Sequence, residues 1–229
     1  IGKPCQCSVN ANVWEGVEVG LPQDKPATEK QHIAVVGAGP GGLEAARVAA
    51  ERGHKVTVLE KSDKLAGLLT MAQVLNANIE PLVSYWNEEM KLHPNIEIKL
   101  NTKVDVDTLR ALNPDQVIVS PGGGIIPIDV PGIDGKNVVK SEDIKAMCNG
   151  IEVTKKGAKV KNVETGEEQL IECDTVLTSL GVEQNTDLYD EIVKVWPHAK
   201  LIGDATTPDG KVYRTLEAVK GGYQASMAI

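Results

Sequence analysis

Apolar and polar positions along the first part of the chain predict strands and helices in alternation. Residues 33–36 form a short apolar run with the length and β-branched content of a buried parallel strand. Residues 43–52 carry small apolar side chains at helical spacing, and residues 55–59 form a second apolar run. This order predicts a strand–helix–strand unit with a parallel pair of strands.

The same pattern predicts further elements downstream. Predicted helices cover residues 80–92, 106–112 and 215–229, and predicted strands cover residues 96–100, 116–119, 174–180 and 200–202. Short runs at 151–153, 159–163 and 169–172, separated by turn residues, predict a β-meander. Residues 1–31 and 125–135 are read as an extended lead-in and a crossover loop, and Ser141 is a candidate N-cap within residues 137–147. Together the elements predict an α/β fold, a Rossmann-like parallel sheet flanked by helices with a β-meander added.

A glycine fingerprint lies between the first predicted strand and its helix. Gly37, Gly39 and Gly42 have the spacing G-x-G-x-x-G, and the second strand ends in Glu60 at the offset where an acid meets a ribose hydroxyl. In such a turn the phosphates of a dinucleotide lie on the helix N-terminus. The arrangement predicts dinucleotide binding, against the alternative of a glycine-rich turn that binds nothing. The acid favours FAD or NAD over NADP.

Composition and charge exclude several classes of partner. A net charge of −8 argues against nucleic acid and against an anionic membrane, and an aromatic content of 3% with no Phe argues against base stacking. The chain shows no apolar run near the length of a membrane span and no signal peptide, so we expect a cytoplasmic protein. Its four cysteines are too few and too scattered to predict a disulfide framework.

Several motifs together resemble a known family. They are GAGPGG at 37–42, the acid Glu60, LAG at 65–67, SPGG at 120–123, VPGIDG at 130–135, LIGDA at 201–205 and QCSVNANVWEG at 6–16. The set resembles the FAD-binding domain of old yellow enzyme-like iron–sulfur flavoenzymes such as 2-enoate reductase, 2,4-dienoyl-CoA reductase and trimethylamine dehydrogenase. These enzymes have a two-dinucleotide-binding-domain flavoprotein fold, and the resemblance covers nearly the whole chain.

The resemblance implies a larger parent enzyme. In that family an upstream TIM barrel holds FMN and the substrate, and a [4Fe–4S] cluster lies at its edge. NAD(P)H reduces FAD, and electrons pass through the cluster to FMN, which reduces an activated C=C bond of enoate or enoyl-CoA type. The segment CSVN implies that Cys7 is the last cluster ligand, against the alternative of a buried free thiol. The parent enzyme is expected to be a homo-oligomer.

The resemblance also implies which residues hold FAD. Glu60 is expected on the adenosine ribose, Asp204 on the ribityl chain, and the helix from Thr215 at the N1–O2 edge of the flavin. The full set of expected cofactor-binding residues is Gly37, Gly39, Pro40, Gly42, Glu60, Lys61, Gly67, Leu68, Val104, Pro121, Gly122, Gly203, Asp204, Thr215 and Leu216. Ala66 stands where the family usually has Gly, and Ser120-Pro121 stands where it usually has Ala-Thr. Both departures bear on the expected placement of the isoalloxazine ring. The resemblance also implies ADP as an alternative, because at least one member of the family holds ADP in this pocket instead of FAD.

One expected domain is missing. Residues 1–31 are expected to lead in from an iron–sulfur and barrel region, and residues 32–147 and 151–229 to form two parts of the FAD domain. An NAD(P)H-binding domain with its own glycine fingerprint is expected at the 147–151 junction, and the sequence there carries none. We interpret the chain as either shortened or incomplete, rather than as a complete natural enzyme, with the barrel also absent from this sequence.

The sequence shows no acid/base pair and no nucleophile arrangement, as expected where a cofactor carries the chemistry. No catalytic residue is therefore predicted. Three rival hypotheses stay open. The first is a non-catalytic FAD- or ADP-binding electron-transfer module that docks to a separate subunit. The others are a compact stand-alone flavin reductase and, as a weaker option, the small subunit of a glutamate synthase-like complex.

Overall fold

The computed structural model describes residues 7–9, 11, 21–125, 131–132, 135, 138–140, 152–154, 157–161, 168–172, 176–178, 182–206 and 215–229. The chain divides into two compact units. The first comprises residues 1–123 and 184–229, and the second comprises residues 124–183. The predicted junction at 147–151 and the candidate N-cap Ser141 lie outside the described residues, whereas Val138–Lys140 and Glu152–Thr154 on either side of them are described.

A five-stranded parallel sheet forms the centre of the first unit. Its strands are β1 (His32–Val36), β2 (Lys55–Leu59), β3 (Ile96–Lys99), β4 (Gln116–Val119) and β12 (Lys200–Leu201), in the spatial order β12-β4-β1-β2-β3. The chain runs from β1 to β2 and β3 on one side and then returns to β4 on the other side of β1, so the strand order reverses between β1 and β4. Such a topological switch point is where open α/β sheets bind ligands.

The predicted helices are present with adjusted ends. The structure has α1 (Pro40–Glu51), α2 (Leu69–Leu75), α3 (Glu80–Glu89), α4 (Val106–Leu112), α5 (Asp187–Ile192) and α6 (Thr215–Met227). Helix α1 begins three residues earlier than predicted because Gly39 can act as its N-cap and Pro40 suits the first helical position. Helices α2 and α5 were not predicted, and residues 90–92 form a 3₁₀ turn after α3.

Hydrophobic clusters cover both faces of the sheet. One contains Leu43, Trp86 and Tyr223, from α1, α3 and α6, and the other contains Leu109 and Ile192, from α4 and α5. Helices α1 and α6 pack so closely that a Cβ on Gly222 would lie 2.1 Å from the Gly41 carbonyl oxygen. Glycine, which has no Cβ, permits this approach. This contact brings the start of α1 beside α6, so a dinucleotide site at the switch point has both helices in its walls.

The second unit contains the predicted meander. Strands β7 (Glu152–Thr154), β8 (Gly157–Lys161) and β9 (Glu168–Glu172) pair antiparallel in sequence order, one or two residues from their predicted bounds. Strand β6 (Val138–Lys140), which was not predicted, pairs in parallel with β10 (Val176–Thr178). The short strands β5 (Gly123–Ile125) and β11 (Val182–Gln184), also not predicted, form a further two-stranded sheet.

Candidate functional site

Two glycines of the fingerprint are required by close backbone packing. Gly37 follows β1 with a φ of +98°, and a Cβ there would lie 2.1 Å from the Ser120 carbonyl oxygen. A Cβ on Gly42 would lie 2.0 Å from the Gly37 carbonyl oxygen. Both distances are far below van der Waals contact, so any side chain at either position would push the loop away from the sheet. These glycines give the turn its shape.

Gly39 differs from the other two because the space around it is open. No described atom lies within 4 Å of the position that its Cβ would occupy. Gly39 is the N-cap of α1, and no side chain of a described residue caps the helix there. The first turn of α1 also lacks an acidic residue. The positive end of the α1 dipole therefore has open space beside Gly39 and no side-chain cap, an arrangement that suits a phosphate.

Glu60 is built into the loop itself. Its Oε2 accepts a hydrogen bond of 2.7 Å from the Ala38 N–H, and its Oε1 accepts one of 2.8 Å from the Ser62 N–H. The side chain is 7% exposed. A carboxylate has about four acceptor positions, so Glu60 keeps acceptor capacity for a ribose hydroxyl beside Gly39. Sequence reasoning missed the Ala38 and Ser62 partners, because both donors are backbone N–H groups, which no residue type marks in the sequence.

The segment after Glu60 folds back over the glycine loop. The Ala66 N–H donates a hydrogen bond of 2.8 Å to the Ala38 carbonyl. The backbone N–H of Ala38 is bound by Glu60 and its carbonyl by Ala66, so both backbone polar groups of Ala38 have a partner. Ala66 and Gly67 both have positive φ, and the Cβ position of Gly67 is 3.2 Å from the Gly39 Cα. The predicted residue Gly67 therefore does lie against the fingerprint.

The end of β4 supplies the opposite wall of the site. The Ser120 N–H donates to the Val36 carbonyl, and its Oγ lies 3.5 Å and 3.7 Å from the Cβ positions of Gly41 and Gly203. Ser120 thus contacts both the fingerprint and the LIGDA segment, which are more than 160 residues apart in sequence. Beyond it Gly122 has a φ of +72° and no described atom within 4 Å of its Cβ position.

The LIGDA segment closes the site beside α6. Gly203 has a φ of +76° and is buried, and the following Asp204 is half-buried. The Cβ position of Gly221, in α6, is 3.8 Å from the Gly203 N atom. At the start of α6, Thr215 is half-buried and Leu216 is buried. The residues predicted from the fingerprint and from LIGDA therefore belong to one region of the first unit.

The remaining predicted residues vary in their position. Val104 is buried in the same hydrophobic cluster as Leu59, at the end of β2, and the Thr102 N–H donates to the Glu60 carbonyl. Pro121 is half-buried, whereas Lys61 and Leu68 are exposed. Cys7 is half-buried, and residues 1–6 before it lie outside the described residues. The structure gives no test of a cluster ligand at Cys7, which stays a prediction.

The site fits a dinucleotide and carries no reactive side-chain set of its own. Backbone N–H groups at an open helix N-terminus suit a pyrophosphate, and the partly used carboxylate of Glu60 suits a ribose. Among the described residues around this loop we find no nucleophile beside a base and no pair of carboxyls that face each other.

A parallel sheet with a glycine loop at its switch point, and with a second glycine turn at Gly203 beside it, is the arrangement of a dinucleotide-binding domain. The family model for pyridine nucleotide-disulphide oxidoreductases matches residues 31–156. The chain belongs to this family and is a FAD-binding module of the flavoprotein oxidoreductase class. The resemblance, the Rossmann-like fold and the oxidoreductase class predicted from the sequence are confirmed.

Known relatives are longer than this chain. N,N-dimethylglycine/sarcosine dehydrogenase of Chromohalobacter salexigens is 36% identical over 116 residues, which cover 49% of this chain and 17% of that protein. Cinnamate reductase of Clostridium sporogenes is 25% identical over 291 residues, which cover 97% of this chain and 42% of that protein. Both alignments therefore leave most of the relative's length outside this chain.

The solved structure of a 2-naphthoyl-CoA reductase complex has the same fold. It superposes with a TM-score of 0.83 and 24% identity, covering 98% of this chain and 43% of that one.

A membrane span needs a long apolar helix, and the described residues include none that meets both requirements.

Proposed function

We propose that this chain is the electron-entry module of an NAD(P)H-dependent flavoprotein reductase that acts on activated C=C bonds. The observation that carries the proposal is the open amino end of α1 at Gly39, with Glu60 beside it and Gly203 across from it. The substrate class is supported by the alignment of cinnamate reductase along nearly the whole chain, since cinnamate is a conjugated alkenoate.

The residues of the site have separate tasks in this proposal. The first N–H groups of α1 bind the pyrophosphate, and Glu60 accepts a hydrogen bond from the adenosine ribose. Asp204 accepts a hydrogen bond from the ribityl chain. The amino end of α6 directs its dipole at the edge of the ring where negative charge develops on reduction. FAD, when bound, supplies the hydride and electron chemistry.

In the proposal, the electron path continues from FAD to groups that this chain holds only in part or not at all. Electrons would leave for a [4Fe–4S] cluster with Cys7 as one ligand, and then for FMN in an upstream TIM-barrel domain or subunit. The complete enzyme would be a homo-oligomer. The alignment with cinnamate reductase extends over 291 residues, more than the 229 of this chain, so that relative has residues within the aligned span that this chain lacks. This difference supports a missing NAD(P)H-binding insert.

The test is an absorption spectrum of the purified chain, followed by heat release and chromatography of its nucleotide. We expect flavin absorption and released FAD. A colourless protein that releases ADP, or nothing after incubation with FAD, would contradict the proposal and leave a nucleotide site without redox chemistry.

A second experiment separates this module from a complete reductase. NADH or NADPH is added anaerobically to the FAD-loaded chain, and dithionite is added to a parallel sample. We expect dithionite to bleach the flavin and both nicotinamides to act slowly, because the proposed module lacks a nicotinamide-binding domain. Rapid bleaching by NADH would instead indicate a compact flavin reductase.

A further inference from the structure

A second group of ligand-type side chains lies at the opposite end of α1 from the glycine loop. Glu51 is the last residue of α1, Glu89 is the last residue of α3, and His93 follows Glu89 by four positions. One ligand atom from each of the three lies within 4.8 Å of the others. We propose that Glu51, Glu89 and His93 bind a divalent transition metal ion, for which Zn²⁺ is the best match.

The donor set and its spacing suit zinc. Imidazole nitrogen and carboxylate oxygen are both common zinc ligands, at bond lengths of about 2.0–2.2 Å. The Glu89 Oε1 and the His93 Nε2 are already 3.1 Å apart, near the spacing of about 3.3 Å between two ligands of a tetrahedral ion with such bonds. Three protein ligands would leave the fourth position to water. Glu51 supplies the third ligand, with a carboxylate oxygen within 4.8 Å of the ligand atoms of Glu89 and His93.

Glu51 has an oxygen that lacks a partner. Its Oε1 accepts a hydrogen bond of 2.7 Å from the Arg47 guanidinium, whereas its Oε2 is buried and makes no hydrogen bond to any described residue. The side chain as a whole is 19% exposed. A buried carboxylate oxygen without a partner is costly, and structures normally satisfy such atoms. A metal ion beside His93 would satisfy this one.

The charges around the three ligands are unbalanced. The Glu44 carboxyl interacts electrostatically with Glu51 and with Glu89, and the Arg47 guanidinium pairs with Glu44 and Glu51. The three carboxyl groups therefore share one guanidinium. Burial, reinforced by the negative charge of Glu89, raises the pKa of the neighbouring Tyr85 to about 12, so Tyr85 contributes no charge near neutral pH. A divalent cation at the three ligands would offset the excess of carboxyl groups over guanidinium groups.

The metal site and the flavin site share no residue. The metal would join the carboxyl end of α1 to the end of α3, whereas the pyrophosphate site lies at the amino end of α1. Zinc binding is therefore expected with and without FAD, so failure of either proposal leaves the other standing.

The test is isothermal titration of ZnCl₂ into the full chain after its cysteines have been alkylated, because thiolates would otherwise bind zinc. We expect one equivalent to bind and the Tm to rise with zinc concentration. Glu89→Gln and His93→Gln keep hydrogen-bonding side chains and are expected to weaken binding by at least about 10-fold. Glu88→Gln alters an exposed carboxyl next to Glu89 and is the matched control for Glu89→Gln. His198→Gln alters an exposed imidazole elsewhere in the chain and is the matched control for His93→Gln.

Two results would overturn this proposal. One is a titration without saturable binding, and the other is equal zinc affinity in the Glu89 and Glu88 variants. X-ray absorption at the zinc edge of the unvaried, alkylated chain adds a measurement that does not depend on how the variants fold. We expect the zinc to have nitrogen and oxygen ligands that include one imidazole. A zinc ion with two or more imidazole ligands, or with any sulfur ligand, would contradict the assignment.

Discussion

Two helices of the same unit begin in different ways. The N-cap residue of helix α4 is Asp105. Its Oδ1 accepts hydrogen bonds from the Thr108 N–H at 2.7 Å and from the Thr108 hydroxyl at 2.6 Å. The N-cap residue of helix α1 is Gly39, and no described side chain accepts a hydrogen bond from the first N–H groups there. Asp105 is the favoured kind of N-cap residue, whereas glycine brings no acceptor of its own.

The difference shows which helix end keeps its first N–H groups without a side-chain cap. The first N–H groups of any helix need acceptors, and α4 obtains one from its own chain. At α1 the chain instead supplies glycines, an acid-free first turn and open space beside Gly39. An anionic ligand at this end would complete the hydrogen bonding that Asp105 completes at α4. Substitutions that exchange these two kinds of helix start should therefore change binding at α1 and stability at α4.

The largest effect is expected from placing a cap at α1. Gly39→Asp puts a carboxylate where the pyrophosphate is expected, and two like charges about 4 Å apart repel by about 4 kcal/mol at an effective dielectric constant near 20. We expect FAD affinity to fall by about 100-fold or more, measured by fluorescence titration of the apoprotein. The thermal stability of the apoprotein should stay equal or rise, because the new side chain can cap α1.

The neutral variant Gly39→Asn separates charge from bulk. It has nearly the same shape as the aspartate variant and can also cap the helix. We expect it to lose clearly less FAD affinity than Gly39→Asp. Equal losses would mean that space alone matters at this position, and unchanged affinity in both variants would place the dinucleotide elsewhere.

A second large effect is expected inside the same turn. Gly42→Ala adds a Cβ that would lie 2.0 Å from the Gly37 carbonyl oxygen, so the loop must move. We expect the free energy of unfolding to fall by about 2–3 kcal/mol, as for other overpacked sites, and FAD affinity to fall with it. Urea unfolding of the apoprotein measures the first quantity.

Gly39→Ala is the matched control for Gly42→Ala. Its Cβ would meet no described atom within 4 Å, and its φ of −73° suits alanine. The unfolding free energy should change by less than about 1 kcal/mol. If both alanine variants were equally destabilised, the close packing of Gly42 on Gly37 could not be the cause.

How much the sequence predicted depends on whether contacts are local. The elements of the parallel sheet follow from short apolar runs, and Gly37, Gly39 and Gly42 follow from their spacing after β1. The contact of Ser120 with both Gly41 and Gly203 joins segments far apart in sequence, and no local pattern encodes it. Helix α2, of seven residues, was missed because its start has no side-chain cap to mark it. Strand β6, with three residues, is too short for periodicity to identify.

A smaller effect on the site is expected from removing the charge of Glu60. Glu60→Gln replaces one acceptor oxygen by an NH₂ group, so either the Ala38 N–H or the Ser62 N–H loses its partner. We expect the unfolding free energy to fall by about 1–3 kcal/mol and FAD affinity to fall by about 10-fold. Asp63→Asn changes an exposed carboxyl on the same segment and should do neither. Normal FAD affinity in Glu60→Gln would exclude a contact to the ribose.

The smallest effect is expected at the capped helix, and it depends on pH. Hydrogen bonds from the Thr108 hydroxyl and backbone N–H lower the pKa of Asp105 below its ordinary 3.8. A carboxyl whose pKa is lower in the folded protein stabilises the fold above its unfolded pKa, and this contribution is lost as the pH falls through the folded pKa. Asp105→Ala should therefore lower the Tm by a few degrees at neutral pH, with a difference that shrinks in acid. Asp107→Ala, which removes a surface ion pair with Arg110, should lower the Tm less. A Tm difference for Asp105→Ala that grows in acid would contradict the role of the ionised cap, because protonation removes the charge that the N–H groups of α4 favour.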